Sequence, residues 1–191
     1  MFINPKVVIE NKWITGIHNP EKQIQPNAID FTADVMKRVK LEPAYVGETT
    51  KQMREIYDIP CINNVWRLDA MSVYDVMSDM YVEVPKGMCA ILFTRSTFTR
   101  NGIFITSGLY DTGFKGHVGC TIYTFGGQTA IERGTRIGQI AFFEAQNAHV
   151  YQGGWNHQQG THYTELAKTL EQATTLDSMA TSKPAGKQTF I

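Results

Sequence analysis

A mainly β fold, either a barrel or a sandwich, is what this sequence predicts, and three observations predict it. Residues 81–145 are dense in β-branched and aromatic side chains, the types that suit a pleated, half-buried surface. Glycine and proline interrupt that stretch at short intervals, as turns between successive strands do. Its best-marked run, YVEV, alternates with period two, the spacing of a strand with one buried face. Many short strands with frequent turns argue for a barrel or for two packed sheets.

The elements follow in chain order. Residues 1–45 are mixed and hold IQPNAIDFTADV (24–35), a polar turn leading into alternating residues. Residues 46–80 are richer in helix formers and methionine, as in KQMREIYDIP and DAMSVYDVMSDM, and read as irregular with short helices. YVEV (81–84) is a strand that meets the turn Pro85-Lys86-Gly87. MCAILFTRST (88–97) is a mostly apolar run, as expected of a strand buried on both faces. GIFITSGLYDTGF (102–114) reads as a strand, a glycine-containing bend and the start of another strand, which HVGCTIYTFGG (117–127) continues to a Gly-Gly turn. TAIERGTRIGQIAFFEA (129–145) reads as two strands joined at Arg133-Gly134-Thr135. ELAKTLEQATTLDSMA (165–180) has the look of a short helix, and the polar SKPAGKQTFI (182–191) closes the chain.

Composition narrows the function classes. The 191 residues suffice for one domain with a sizeable core. Lys+Arg and Asp+Glu each total 18, so no bulk positive charge is available for a polyanion, and neither nucleic acid nor a membrane is an expected partner. A small anion held by a few focused side chains remains open. Cys61, Cys89 and Cys120 are odd in number and widely spaced. They fit neither a disulfide framework nor a CxxC metal site, and free thiols suit a reducing, cytoplasmic setting. The N-terminus mixes charge into its apolar residues, unlike a signal peptide, and no run is long enough to span a bilayer.

Four segments carry candidate chemistry. Arg95-Ser-Thr-Phe-Thr-Arg100 places guanidinium forks and hydroxyls after a strand, groups suited to phosphate oxygens, or simply two arginines on a surface loop. Gly108 to Gly116 sets Asp111 and Phe114 among glycines that allow close backbone approach. Asp111 could hold a water as general base or bond its own turn amides, and Phe114 could stack on a sugar. Gln139 is an amide in an otherwise apolar strand and needs partners. Tyr151 to Gly160, with Trp155 and Gln158, could close over a ligand or pack as a surface loop.

In order, IQPNAID, VPKG with LFTRST, YDTGFKG, RGTRIGQIAF and YQGGWNHQQG resemble the successive motifs of the dUTPase and dCTP deaminase superfamily, over about residues 24–164. The resemblance implies a distorted β-barrel with a few short helices over residues 1–165, and a partly helical or mobile extension over 166–191. It implies a homotrimer with active sites shared between subunits, and deoxypyrimidine nucleoside triphosphates bound with Mg²⁺. By motif, Arg95, Ser96 and Arg100 would contact phosphates, Asp111 would position the attacking water, and Phe114 would pack on deoxyribose. Gln139 would reach the phosphates, while Trp155 and Gln158 would belong to the closing segment. No protein side chain is expected to ligate metal directly, since Mg²⁺ would ride on the phosphates.

The two branches of that superfamily need different groups. The metal-free deaminases carry a glutamate where this chain has Thr121, and no Asp or Glu lies between Asp111 and Glu132. A hydroxyl is no base near neutral pH. Hydrolysis of dUTP to dUMP and pyrophosphate needs only a positioned water, one carboxylate and cations on the phosphates. The expectation is therefore a dUTP diphosphatase. A dCTP deaminase is the first alternative and a non-catalytic, nucleotide-binding regulatory protein the second. The chain departs from the family at Tyr110, where an isoleucine is usual. It lacks the glycine-rich dUTPase closing motif with its arginine and phenylalanine, and it has Gly154 where the deaminase closing segment has a lysine.

Overall fold

The computed structural model describes residues 1–106, 108–147 and 149–153. The strands are β1 (Ile14–Thr15), β2 (Ile29–Thr32), β3 (Val35–Val39), β4 (Tyr45–Val46), β5 (Lys51–Gln52), β6 (Ile56–Asp58), β7 (Cys61–Ile62), β8 (Val65–Leu68), β9 (Ser72–Glu83), β10 (Met88–Thr94), β11 (Ile103–Ile105), β12 (Leu109–Tyr110), β13 (Lys115–Thr124), β14 (Thr129–Glu132) and β15 (Arg136–Glu144). Short helices α1 (Pro5–Glu10), α2 (Pro20–Gln23) and α3 (Ser96–Arg100) punctuate them. The fold is mainly β, as the residue pattern predicts. The helix expected over 165–180 lies outside the described residues.

One sheet runs β11-β13-β9-β3-β6, with β1 also on β9, and a second runs β12-β10-β15-β2. A smaller sheet is ordered β14-β8-β7, and β4 pairs with β5. Apolar side chains of the three larger sheets meet in one core that includes Phe31, Phe142, Tyr74, Met80, Ile122, Trp66 and Ile131. The sheets thus wrap a common interior.

Three expectations change. Residues 46–80 hold the end of β4, strands β5 to β8 and most of β9, and no helix is among their described elements. Within β9, Tyr74, Val76, Ser78, Met80 and Val82 are buried at every second position, and β13 and β3 pair with it along both edges. Cross-strand packing overrides the helical preference of the methionines. β10 is not buried on both faces: Ala90 and Leu92 are fully buried, whereas Phe93 is exposed. Residues 96–100 form helix α3, with Phe98 as the side chain it anchors in the core. The turn at Arg133-Gly134-Thr135 joins strands that part company, for β14 pairs with β8 while β15 pairs with β10 and β2.

At one edge of the large sheet, Phe104 and Phe125 are exposed with ring centroids 5.6 Å apart, and Tyr123 stacks on Phe125 at 6.2 Å.

Candidate functional site

The site divides between two ends of the β12-β10-β15-β2 sheet. At one end β10 runs out at Thr94, whose hydroxyl donates to the Ile105 carbonyl at 2.9 Å and pins the strand end. Arg95 follows as the residue that caps α3, and Ser96 and Arg100 stand exposed at the first and last positions of that helix.

Arg95 is not a loose surface arginine. Its Nε lies 3.5 Å from Oδ2 of Asp30, a carboxylate with 0% of its side chain exposed, and its Nη1 donates to the Arg136 carbonyl at 2.9 Å. Gln139 meets the same carboxylate, its Nε2 donating to Asp30 Oδ1 at 2.8 Å. Arg136 completes the group, donating from Nη1 to Asp30 Oδ2 at 2.9 Å. The β2–β15 ladder sets Asp30 opposite Gln139. Arg136 and Gln139 are three residues apart, so an unbroken pleat would turn them to opposite faces. An irregularity in that ladder between Arg136 and Gly138 turns both to Asp30. Gly138 itself lies under the Phe31 ring, where a Cβ would come within 2.4 Å of Cε1.

The other end holds Asp111, exposed on the turn between β12 and β13. The Phe114 amide donates to the Asp111 carbonyl at 3.0 Å, and Gly113 takes φ +83° within the turn, a value that favours glycine. The turn is tied down on both sides. Gly113 N donates to Val84 O, and Tyr151 N donates to Thr112 O, each at 2.8 Å. Residues 149–151 thereby strap across it, with Val150 so close to Gly113 that a Cβ there would stand 2.3 Å from Cγ1. Phe114 is only 7% exposed and packs edge-on against Tyr110 at 5.0 Å and Tyr151 at 5.7 Å. Little of its ring is left to face a sugar.

A cavity of about 530 Å³ opens beside Asp111, lined also by Thr112, Gln146, Asn147, His149 and Tyr151. Cys89 is half-buried nearby, and its thiol is held above the usual range by desolvation and then by the Asp111 charge. Cys120 is buried, and desolvation, with the Asp75 charge second, pushes its thiol well up, so it is an inert core group. Among the described residues no three His, Cys, Asp or Glu side chains gather into a metal-binding group.

The two ends do not meet within one chain. Tyr110 pairs with Ala90 on β10 and Asp111 continues away from Arg95. Six residues of strand then separate the Asp111 end from Arg95, roughly 20 Å at the strand rise. Trp155 and Gln158 lie outside the described residues.

Thr121 has a neighbour that linear inspection misses. The β9–β13 ladder sets it opposite Asp75, which is 5% exposed. Paired residues of an antiparallel ladder point to the same face with Cβ atoms about 4.5–5.5 Å apart. A carboxylate therefore does stand beside Thr121, on the next strand. Asp30, Arg136 and His149 are likewise absent from the sequence-derived site. Asp30 lies in the IQPNAID motif, which is the one signal that could have found it.

A family model described as dCTP deaminase-like matches residues 7–145. A probable deoxyuridine 5'-triphosphate nucleotidohydrolase of Methanopyrus kandleri is 26% identical over 136 residues, 71% of this chain and 88% of that protein. A dCTP deaminase of Sulfurisphaera tokodaii is 26% identical over 162 residues, 81% of this chain and 85% of its own length. The crystal structure of the 2'-deoxycytidine 5'-triphosphate deaminase from Agrobacterium tumefaciens shares the fold, with a TM-score of 0.61 at 17% identity over 75% of this chain. That match spans about half of the deaminase, 48% of its chain. No helix among the described residues is long and apolar enough to cross a membrane. The family match runs from the first strand to the last and takes in both ends of the site, and on it the chain belongs to the dCTP deaminase-like family.

Proposed function

We propose that this protein is a dUTP diphosphatase that releases dUMP and pyrophosphate from dUTP. The observation that carries the proposal is the arrangement at the Arg95 end. A fully buried carboxylate holds one guanidinium and one amide, Arg95 and Gln139, in place before any ligand arrives. Donors fixed in advance at a water-poor site stabilise developing phosphate charge with little reorganisation. Ser96 and Arg100, exposed on α3, add a hydroxyl and a second guanidinium for the triphosphate. Asp111 is exposed beside a polar cavity, where it holds the attacking water and takes its proton. Relatives in Methanopyrus kandleri and Methanothermobacter thermautotrophicus carry the nucleotidohydrolase name.

Mg²⁺ fits this reading as a cation carried on the triphosphate. The carboxylate at the phosphate end, Asp30, is fully buried behind Gln139 and Arg136, to which its two oxygens are bonded, so it is not turned outward to a metal. Bound there, Mg²⁺ would offset charge on the leaving pyrophosphate. Since one chain keeps Asp111 and Arg95 at opposite ends of a sheet, a working site draws on two chains, which favours a homotrimer with shared sites.

The test is a panel of deoxynucleoside triphosphates with Mg²⁺, reading pyrophosphate and ammonia separately. The expected result is pyrophosphate from dUTP, with Asp111→Asn slowing its release at least roughly a hundredfold while nucleotide binding stays within a few-fold. Tight dUTP binding without pyrophosphate release by the wild type would leave a binding protein instead.

A second reading, dCTP deamination, is favoured by Asp75 opposite Thr121. In that reaction water adds to the ring carbon that bears the amine, its proton passes to the carboxylate, and the amine leaves as ammonia with that proton. Ammonia from dCTP is its signature.

A further inference from the structure

We infer that Asp30 is a positioning residue and Arg136 a further phosphate contact, so that Arg95, Arg136 and Gln139 act as one pyrophosphate-binding unit built on a single buried carboxylate. This rests on the triphosphate-site reading above and extends it to two residues, Asp30 and Arg136, to which the motifs gave no role.

Two guanidiniums side by side repel, and a carboxylate with no exposed surface is costly unless paired. Asp30 resolves both problems by placing Oδ2 between Arg136 Nη1 at 2.9 Å and Arg95 Nε at 3.5 Å. The trio carries one net positive charge. Gln139 bonded to Oδ1 holds the other oxygen and so fixes the carboxylate plane. The backbone of Asp30 is held in turn by buried Gln23, whose Nε2 donates to the Asp30 carbonyl at 3.0 Å.

Each guanidinium keeps donors for a ligand. Arg136 makes both of its hydrogen bonds among the described residues from Nη1, to Asp30 and to the Lys22 carbonyl at 2.6 Å. A guanidinium has five N–H donors, so Nε and Nη2 keep theirs for an incoming oxygen. Arg95 likewise uses Nη1 on the Arg136 carbonyl and, among the described residues, keeps its Nη2 donors. Their side chains are 26% and 30% exposed while the carboxylate between them is sealed. The unit turns cationic donors outward and keeps its one negative charge behind them. Two adjacent forks suit neighbouring phosphoryl groups better than a single phosphate. The irregularity in β15 exists in this setting to bring the second fork round.

Binding to the full chain, measured by calorimetry with inorganic pyrophosphate, dUMP and a non-hydrolysable dUTP analogue, tests this. Arg136→Gln should weaken pyrophosphate and the analogue by roughly ten- to a hundredfold and leave dUMP within twofold of wild type. Unchanged pyrophosphate binding in that variant overturns the inference. Asp30→Asn should weaken both phosphate ligands at least as much, and adding Arg136→Gln to it should cost less than in the wild-type background. A folded Asp30→Asn with wild-type binding, or fully additive losses, overturns the positioning role. Where Asp30→Asn does not fold, the pair Gln139→Ala and Arg136→Gln, alone and together, decides the coupling. The outcomes separate from those of the hydrolase reading, because a protein without turnover still reports pyrophosphate binding.

Discussion

Single residues decide the chemistry here through partners far away in sequence. Asp30 bonds to Arg136 and Gln139 across 106 and 109 residues, and Asp75 reaches Thr121 only through strand pairing. That is why Arg95, Asp111 and Gln139 were legible as site residues, whereas Asp30 and Arg136 stood within quoted motifs without a role and Asp75 stood outside them. A motif reports which groups are present, and a ladder register reports which of them touch. Asp75 gives the residue-scale prediction. If dCTP is deaminated, Asp75→Asn should lower the rate of ammonia release by roughly a hundredfold or more and leave pyrophosphate release from dUTP unchanged. Ammonia release insensitive to the substitution would place the base elsewhere.

Elements position these residues, and their misreadings have the same physical source. YVEV was legible because its alternation is visible in four residues, whereas Ser72–Glu83 becomes a strand through pairing on two edges. The turn between β12 and β13 makes a sharper case. It stays in shape because Gly113 accepts φ +83° and because the strap at Val150 and Tyr151 lies directly on it. A methyl at that position meets both constraints at once. Gly113→Ala should destabilise the fold by about 1–3 kcal/mol and speed proteolytic cutting within 146–153. It should also raise KM for dUTP more than it lowers kcat, since Asp111 keeps its carboxylate while its cavity loses a wall. Equal cutting rates in the two proteins would show that the strap does not depend on the turn.

For the whole molecule the decisive feature is the separation of the two ends of the site. Variants Asp111→Asn and Arg95→Ala each spoil a different end. Mixed after co-refolding, they should recover up to roughly a quarter of wild-type activity, the fraction of head-to-tail contacts that join two intact ends in a closed ring. No recovery from a mixed assembly would mean that one chain builds its own site. The rings of Phe104, Tyr123 and Phe125 at the sheet edge follow the same logic into thermodynamics. If association covers them, each chain's folding is tied to its neighbours by mass action, and the melting temperature rises with protein concentration. A dilute sample would then lose its fold and any site shared between chains together, so dilution alone would switch such an assembly off.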